Sequence, residues 1–170
     1  MTKFVGTGAH LNSQELRVWT SLLDALRILE SEVESNLHQH HDMSHREYEV
    51  LVRVDGAGGR CRMSTLARQI ETSAPLITQT VHKLEDRGWI RREAAVHDRR
   101  GVDAVLTTDG NSALAAAASP HAETIRRVLL EPMGDNIDVV ADTIGPIADH
   151  LRLHRRGEHC DDPGCWCESR

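Results

Sequence analysis

Aromatic side chains are scarce in this 170-residue chain, at 3% of the total. A core so poor in rings must be built from Leu, Ile, Val and Ala, which favours packed helices over a β-sandwich. No run of 18 apolar residues occurs, so no membrane span is expected. The opening MTKFVGTGAHLNSQEL lacks the apolar stretch and small-residue cleavage site of a signal peptide, and the expected location is the cytoplasm. Cysteine is also sparse. Cys61 stands alone in the body, and Cys160, Cys165 and Cys167 crowd the last eleven residues, which is not the framework of a secreted disulfide domain. There is no G-x-S-x-G elbow, no H-E-x-x-H and no phosphate-binding loop ending in Lys-Ser/Thr. Gly56-Ala57-Gly58-Gly59 therefore reads as a linker, and no enzyme activity is expected.

What is present is charge of unequal distribution. The net charge is −6, yet residues 60–100 hold nine basic side chains against five acidic ones. That segment stands at +4 and the remainder at −10. Affinity for a polyanion depends on local phosphate neutralisation, so the middle of the chain is where a nucleic acid would dock.

Periodicity divides the chain. Leu16, Trp19, Leu22, Leu26, Leu29, Val33 and Leu37 recur at helical spacing and predict a long helix over 12–38, capped by Asn12 or Ser13. A histidine-rich joint follows, with His38, His40, His41 and His45. Ser44 and Glu47 have the spacing of a capping box and open a helix over 44–54. A short helix over 64–70, capped by Ser64, is separated by Glu71-Thr72-Ser73 from a helix over 74–87. Pro75 sits in the first turn of the latter and Gly88 ends it. The period then changes. Residues 89–93 and 102–106 are strand-like and flank a charged tip, a β-hairpin. Thr107 or Thr108 opens a helix to about Leu130 that Pro120 should bend or divide. Residues 136–154 form a last helix with a near-heptad stripe, interrupted at Gly145-Pro146.

Helix, tight turn, helix and hairpin in that order describe a winged helix-turn-helix. The helix 74–87 is the candidate reader of the major groove, with Ser73, Thr78, Gln79, His82 and Lys83 outward. Arg99 and Arg100 at the hairpin tip are suited to a minor groove, and Asp98, two positions before Arg100, is placed to orient its guanidinium. The first and last helices bear more apolar surface than so small a module can cover, so a two-fold dimer is expected.

The run HDRRGVDAVLTTDG resembles the wing motif of the MarR family at Asp98, Arg100, Gly101, Val102, Leu106, Thr107 and Gly110. Leu66, Ala67, Ser73, Thr78, Val81, Leu84, Glu85, Arg87 and Gly88 follow the family's helix pair. The resemblance implies a mainly α fold with a small β-hairpin wing, flanked by long dimerisation helices. It divides the chain into an N-terminal dimerisation helix (1–43), the DNA-binding domain (44–107), C-terminal dimerisation helices (108–156) and a polar Cys-rich tail (157–170). The resemblance further implies a homodimeric transcriptional regulator, a repressor or an activator with repression the first expectation, that binds a palindromic operator in double-stranded DNA. Arg100 would enter the minor groove, oriented by Asp98. Family members often carry Arg where this chain has Ala74 and Gln79, which points to an operator rich in A·T. Release by a small-molecule effector, a phenolic or other lipophilic acid, in a crevice near Trp19, His41 and His45 is likewise implied by the resemblance.

Two clusters offer an alternative, a metal- or thiol-sensing regulator on the same fold. The histidines around His38–His45, joined by His121, suit zinc. His159, Cys160, Cys165 and Cys167 in the tail are candidate zinc ligands or a redox switch, or are incidental. Cys61 is expected to be a packing residue. The sequence does not reveal the operator, the effector, the regulated genes or the sign of regulation.

Overall fold

The computed structural model describes residues 10–95 and 101–158. Contacts divide the chain into two units, Met1–Val128 and Leu129–Arg170.

In the first unit, helix α1 (Ser13–His41) begins with a reciprocal cap. Asn12 Oδ1 accepts from the Gln14 and Glu15 amides at 2.9 and 3.0 Å, and Glu15 Oε2 accepts from the Asn12 amide at 2.7 Å. Helix α2 (His45–Gly56) starts in the same way at Ser44 and Glu47, as its sequence predicts. Thr107 Oγ1 caps α5 (Thr108–Ile125) by accepting from the Gly110 amide at 3.0 Å. These caps satisfy amides that a helix start leaves without partners, each worth about 1 kcal/mol.

Between α2 and α5 lie β1 (Arg60–Arg62), α3 (Met63–Gln69), α4 (Ala74–Asp86), β2 (Ile90–Ala94) and β3 (Val102–Leu106). The sheet is antiparallel in the order β1-β3-β2, with Cys61 opposite Ala104 and Arg92 opposite Ala104 from the other side. The hairpin is where the sequence places it. The third strand is additional. Its three residues, Arg-Cys-Arg, alternate with only the cysteine buried, which is too short a pattern to stand out between a glycine run and a helix. Pairing of this strand also overturns one expectation. The chain leaves β1 directly into α3, so Arg62 occupies the cap position without a side-chain capping bond and Ser64 lies inside the helix.

The core joins α1, α2, α3, α4, α5 and the sheet. Leu37, Met43, Val50, Leu51, Val54, Leu66, Ile77, Val81, Leu84 and Ala104 are essentially inaccessible, and Cys61 packs among them. Each large aliphatic side chain so buried contributes about 1.5–3 kcal/mol. Leu114 and Ala117 bring α5 onto this core, so the unit includes a helix that flanks the hairpin.

Pro120 does not divide α5, which continues to Ile125. The departure from α geometry comes later, in a π-helical turn over Arg126–Leu130. A short α6 (Glu131–Met133) and a 3-10 turn (Gly134–Asn136) lead into α7 (Ile137–Glu158). Gly145-Pro146 does not interrupt α7, contrary to expectation. A proline in a helix removes one internal bond and is tolerated where the rest of the ladder holds. The α7 helix exposes Ile137, Val139, Ile144, Ile147, Leu151 and Leu153, and α1 exposes Leu16, Val18, Trp19, Leu26 and Ile28. Among the described residues no helix is long and apolar enough to cross a membrane.

Candidate nucleic-acid interface

The turn between α3 and α4 is tight. Glu71 adopts a left-handed backbone with φ 55°, and the Thr72 amide returns to the Ala67 carbonyl at 3.0 Å. Arg46 of α2 donates to Thr72 Oγ1 at 3.1 Å and holds the turn against the core. At the other end of α4 the Trp89 amide donates to the Leu84 carbonyl at 2.9 Å, and the Gly88 amide to Glu85 at 2.9 Å. This closure needs the φ of +73° that Gly88 adopts.

The fixed ends orient α4 unambiguously. Ile77, Thr80, Val81 and Leu84 are buried, while Ser73, Ala74, Pro75, Thr78, Gln79, His82 and Lys83 are exposed on the opposite side. All five residues expected on the reading face are therefore outward. Thr78 donates its hydroxyl hydrogen to the Ala74 carbonyl at 2.9 Å and is itself exposed. Ser73 has extended cap geometry but its hydroxyl makes no capping bond. Among the described residues Lys83 has no ion pair. A protruding helix with short polar groups at its start suits base edges and phosphates.

The hairpin closes where the Ala95 amide donates to the Gly101 carbonyl at 2.9 Å. Asp98, Arg99 and Arg100 lie outside the described residues. The base of the hairpin carries ion pairs that sequence reading did not anticipate. Arg60 reaches Glu93 on β2 and Asp103 on β3, the latter at 3.3 Å. Arg91 pairs with the same Glu93 at 2.6 Å. These guanidinium groups hold the Glu93 carboxyl below its usual range, and the carboxylates raise Arg60 further. Arg92 Nε donates to Glu85 Oε2 at 2.7 Å and ties β2 to α4. Arg87 is engaged with Asp42. Much of the positive excess in residues 60–100 thus holds the winged module together.

The expected effector residues separate. A cavity of about 700 Å³ opens between α1, α2 and α4. Leu29, Val33, Ile70 and Leu76 give it an apolar floor, and Glu30, Glu34, His45, Gln79 and Lys83 line it as well. His45 is in the lining; Trp19 and His41 are not. Trp19 is 52% exposed on α1. His41 Nε2 is buried without a hydrogen-bond partner among the described residues. The histidine joint does acquire His121, whose ring centroid lies 5.8 Å from His45 and 4.3 Å from Tyr48. Burial and the neighbouring His45 push the His121 pKa down. Among the described residues no three His, Cys, Asp or Glu side chains form a metal-holding group. His159, Cys160, Cys165 and Cys167 lie outside the described residues.

Residues 41–101, from the end of α1 to the residue before β3, match the MarR family. The structure superposes on that of AbsC, a MarR family transcriptional regulator from Streptomyces coelicolor, with a TM-score of 0.80 and 30% identity. The match covers 85% of this chain and 99% of that one. The chain belongs to the MarR family.

Two further comparisons agree. Sco3205 from the same organism, solved in complex with DNA, is 28% identical over 84% of this chain and 94% of its own, with a TM-score of 0.80. The transcriptional regulator PecS of Dickeya dadantii (strain 3937) is 26% identical over 115 residues, 66% of this chain and 69% of its own length. This MarR-family chain is a DNA-binding transcriptional regulator with a winged helix-turn-helix, and not an enzyme.

Proposed function

We propose that this regulator acts in the cytoplasm as a homodimeric repressor on a pseudo-palindromic operator and is released by a small molecule. The observation that carries the DNA-reading part is the division of α4. One row of side chains is sealed in the core, and Ser73, Thr78, Gln79, His82 and Lys83 form the other. With Gln79 in place of a longer cation, base contacts favour adenine. Asp98, Arg99 and Arg100 supply the minor-groove contact on the strength of the family wing motif.

Dimerisation is supported by the exposed apolar rows on α1 and α7. Surfaces of this kind are covered in soluble proteins, and a two-fold axis is the commonest closure.

The effector site we favour is the cavity between α1, α2 and α4. Its volume suits a drug-sized molecule, and it is lined by an apolar floor with a few polar groups. Gln79 and Lys83 belong both to this lining and to the outward row of α4. A ligand that engages them takes away contacts that DNA would use, which makes its binding antagonistic to the operator by linkage.

Selection of bound duplexes from a random pool tests the reading, with native mass spectrometry of the winning complex. The expected result is a pseudo-palindrome carrying two copies of the chain. Recovery of unrelated duplexes, or a single copy per site, contradicts it.

A further inference from the structure

One side chain outside the wing motif, that of Arg62, packs against the base of the hairpin. Arg62 is the last residue of β1, paired with Asp103 of β3, and is also the residue from which α3 starts. Its side chain turns toward the hairpin base. A Cβ added to Gly101 would lie 2.0 Å from Arg62 Nη2, 2.3 Å from Cζ and 2.9 Å from Nε. The guanidinium therefore occupies the space that any side chain at 101 would fill. Gly101 is itself the residue whose carbonyl accepts from Ala95 to close the hairpin base. Around this contact is a cleft of about 370 Å³, lined by Arg62, Ser64, Thr78, Arg92, Gly101 and Val102. Arg62 thus shares a cleft with Gly101 at the hairpin base and with Thr78 on the outward side of the reading helix.

We propose that Arg62 is a positioning residue for DNA binding: its guanidinium, packed on the bare backbone of Gly101, sets the offset between the wing and helix α4. This rests on the DNA-reading function proposed above. The β2 side of the hairpin is already tied to α4 by Arg92 and Glu85. Arg62 supplies the tie on the β3 side, where the chain emerges from the tip. A planar guanidinium can lie flat on a peptide; an ammonium cannot. The glycine in Asp98-x-Arg100-Gly101-Val102 is then required for close approach by Arg62.

The test uses the full chain and four variants, Arg62→Gln, Arg62→Lys, Gly101→Ala and the double Arg62→Gln/Gly101→Ala. Because the group displaced in Gly101→Ala is the end of a flexible side chain, all four should melt close to the parent. On the selected operator each single substitution is expected to weaken binding by about tenfold, and the double variant no further. Hydroxyl-radical footprints should lose protection in the minor groove at the flanks, with dimethyl sulfate protection of the major groove retained. A second readout needs no DNA: tryptic cleavage after Arg99 and Arg100 should accelerate several-fold in every variant. Full rescue by Arg62→Lys, additive losses in the double variant, or unchanged cleavage would overturn the assignment. A parent protein that binds no duplex while its cleavage pattern follows the prediction would remove the DNA-reading function and leave the brace standing.

Discussion

Arg87 and Asp42, 45 residues apart in sequence, join the end of the reading helix to the junction of α1 and α2. Arg87 donates to the Asp42 carbonyl and, at 3.2 Å, to its carboxylate; Glu47 lies 3.9 Å away. The guanidinium stacks 3.7 Å from the centroid of Trp89. Asp42 holds a left-handed backbone with φ 49°, the conformation that ends α1. The position of α4 is therefore coupled to the helix that carries the exposed apolar row. Arg87→Ala should lower stability by about 1–2 kcal/mol, from the lost charge-assisted bond and the cation–π contact. Arg87→Lys should recover little of it, because one ammonium cannot serve both acceptors and stack. Urea titrations of the three proteins check this.

Gly110 of the wing motif also serves packing. A Cβ there would lie 2.1 Å from the Trp89 carbonyl oxygen, which is backbone and cannot move aside. That carbonyl also accepts from the Thr107 amide at 3.1 Å. Gly110→Ala is expected to cost about 2–3 kcal/mol by overpacking. Gly56→Ala, at the end of α2 with nothing within 4 Å, should instead be neutral or stabilise by up to about 1 kcal/mol. Thermal melts of both variants separate the two cases.

Much of this architecture is legible in the residues, and the exceptions have physical causes. Helical spacing from Leu16 to Leu37, the cap candidate Asn12 and the pair Ser44/Glu47 are local signals, and the helices begin at the caps Asn12 and Ser44. The outward row of α4 follows from the same periodicity. Strand β1 is invisible because its pairing with β3 joins Cys61 to Ala104, a contact 43 residues away that leaves no local pattern. The roles of Arg60, Arg62 and Arg87 depend on the same kind of distant partner. Charge counting locates the basic segment but does not separate the arginines bound to carboxylates from those left for DNA. Pro120 and Pro146 show the opposite limit, since a residue that disfavours a helix locally is accommodated within α5 and α7. The cavity is legible only at His45, because its other walls come from three separate helices.

His121 should make stability sensitive to mild acid. Burial and His45 lower its pKa in the folded chain, so the fold favours the neutral ring, with Tyr48 and His45 of α2 facing it. The unfolded ring titrates near pH 6.5, roughly the value of a free histidine. Between that pH and the lower folded value the unfolded chain binds more protons, so this contribution is full above about pH 6.5 and declines as pH falls. The difference in urea midpoint between the parent and His121→Phe should shrink or reverse from pH 7.5 to pH 5.5. A difference independent of pH would show that the ring acts by packing alone.

Cys61 should be chemically silent. It is buried in β1, and burial pushes its thiol pKa up, keeping the neutral form. In a variant with Cys160, Cys165 and Cys167 replaced by serine, iodoacetamide should label the native protein slowly and the urea-unfolded protein fully. Rapid labelling of the native form would contradict the packing assigned to β1.

The outward row of α4 is tested most directly by fluorescence anisotropy of the selected operator as a function of salt, for the parent, Gln79→Ala and Lys83→Gln. Gln79→Ala is expected to weaken the cognate duplex by about 1–3 kcal/mol and to relax preference at the base pair it contacts. Lys83→Gln should weaken all duplexes alike and reduce the salt slope by about 1 per chain. If both variants match the parent in affinity, preference and slope, α4 does not read DNA and the account fails.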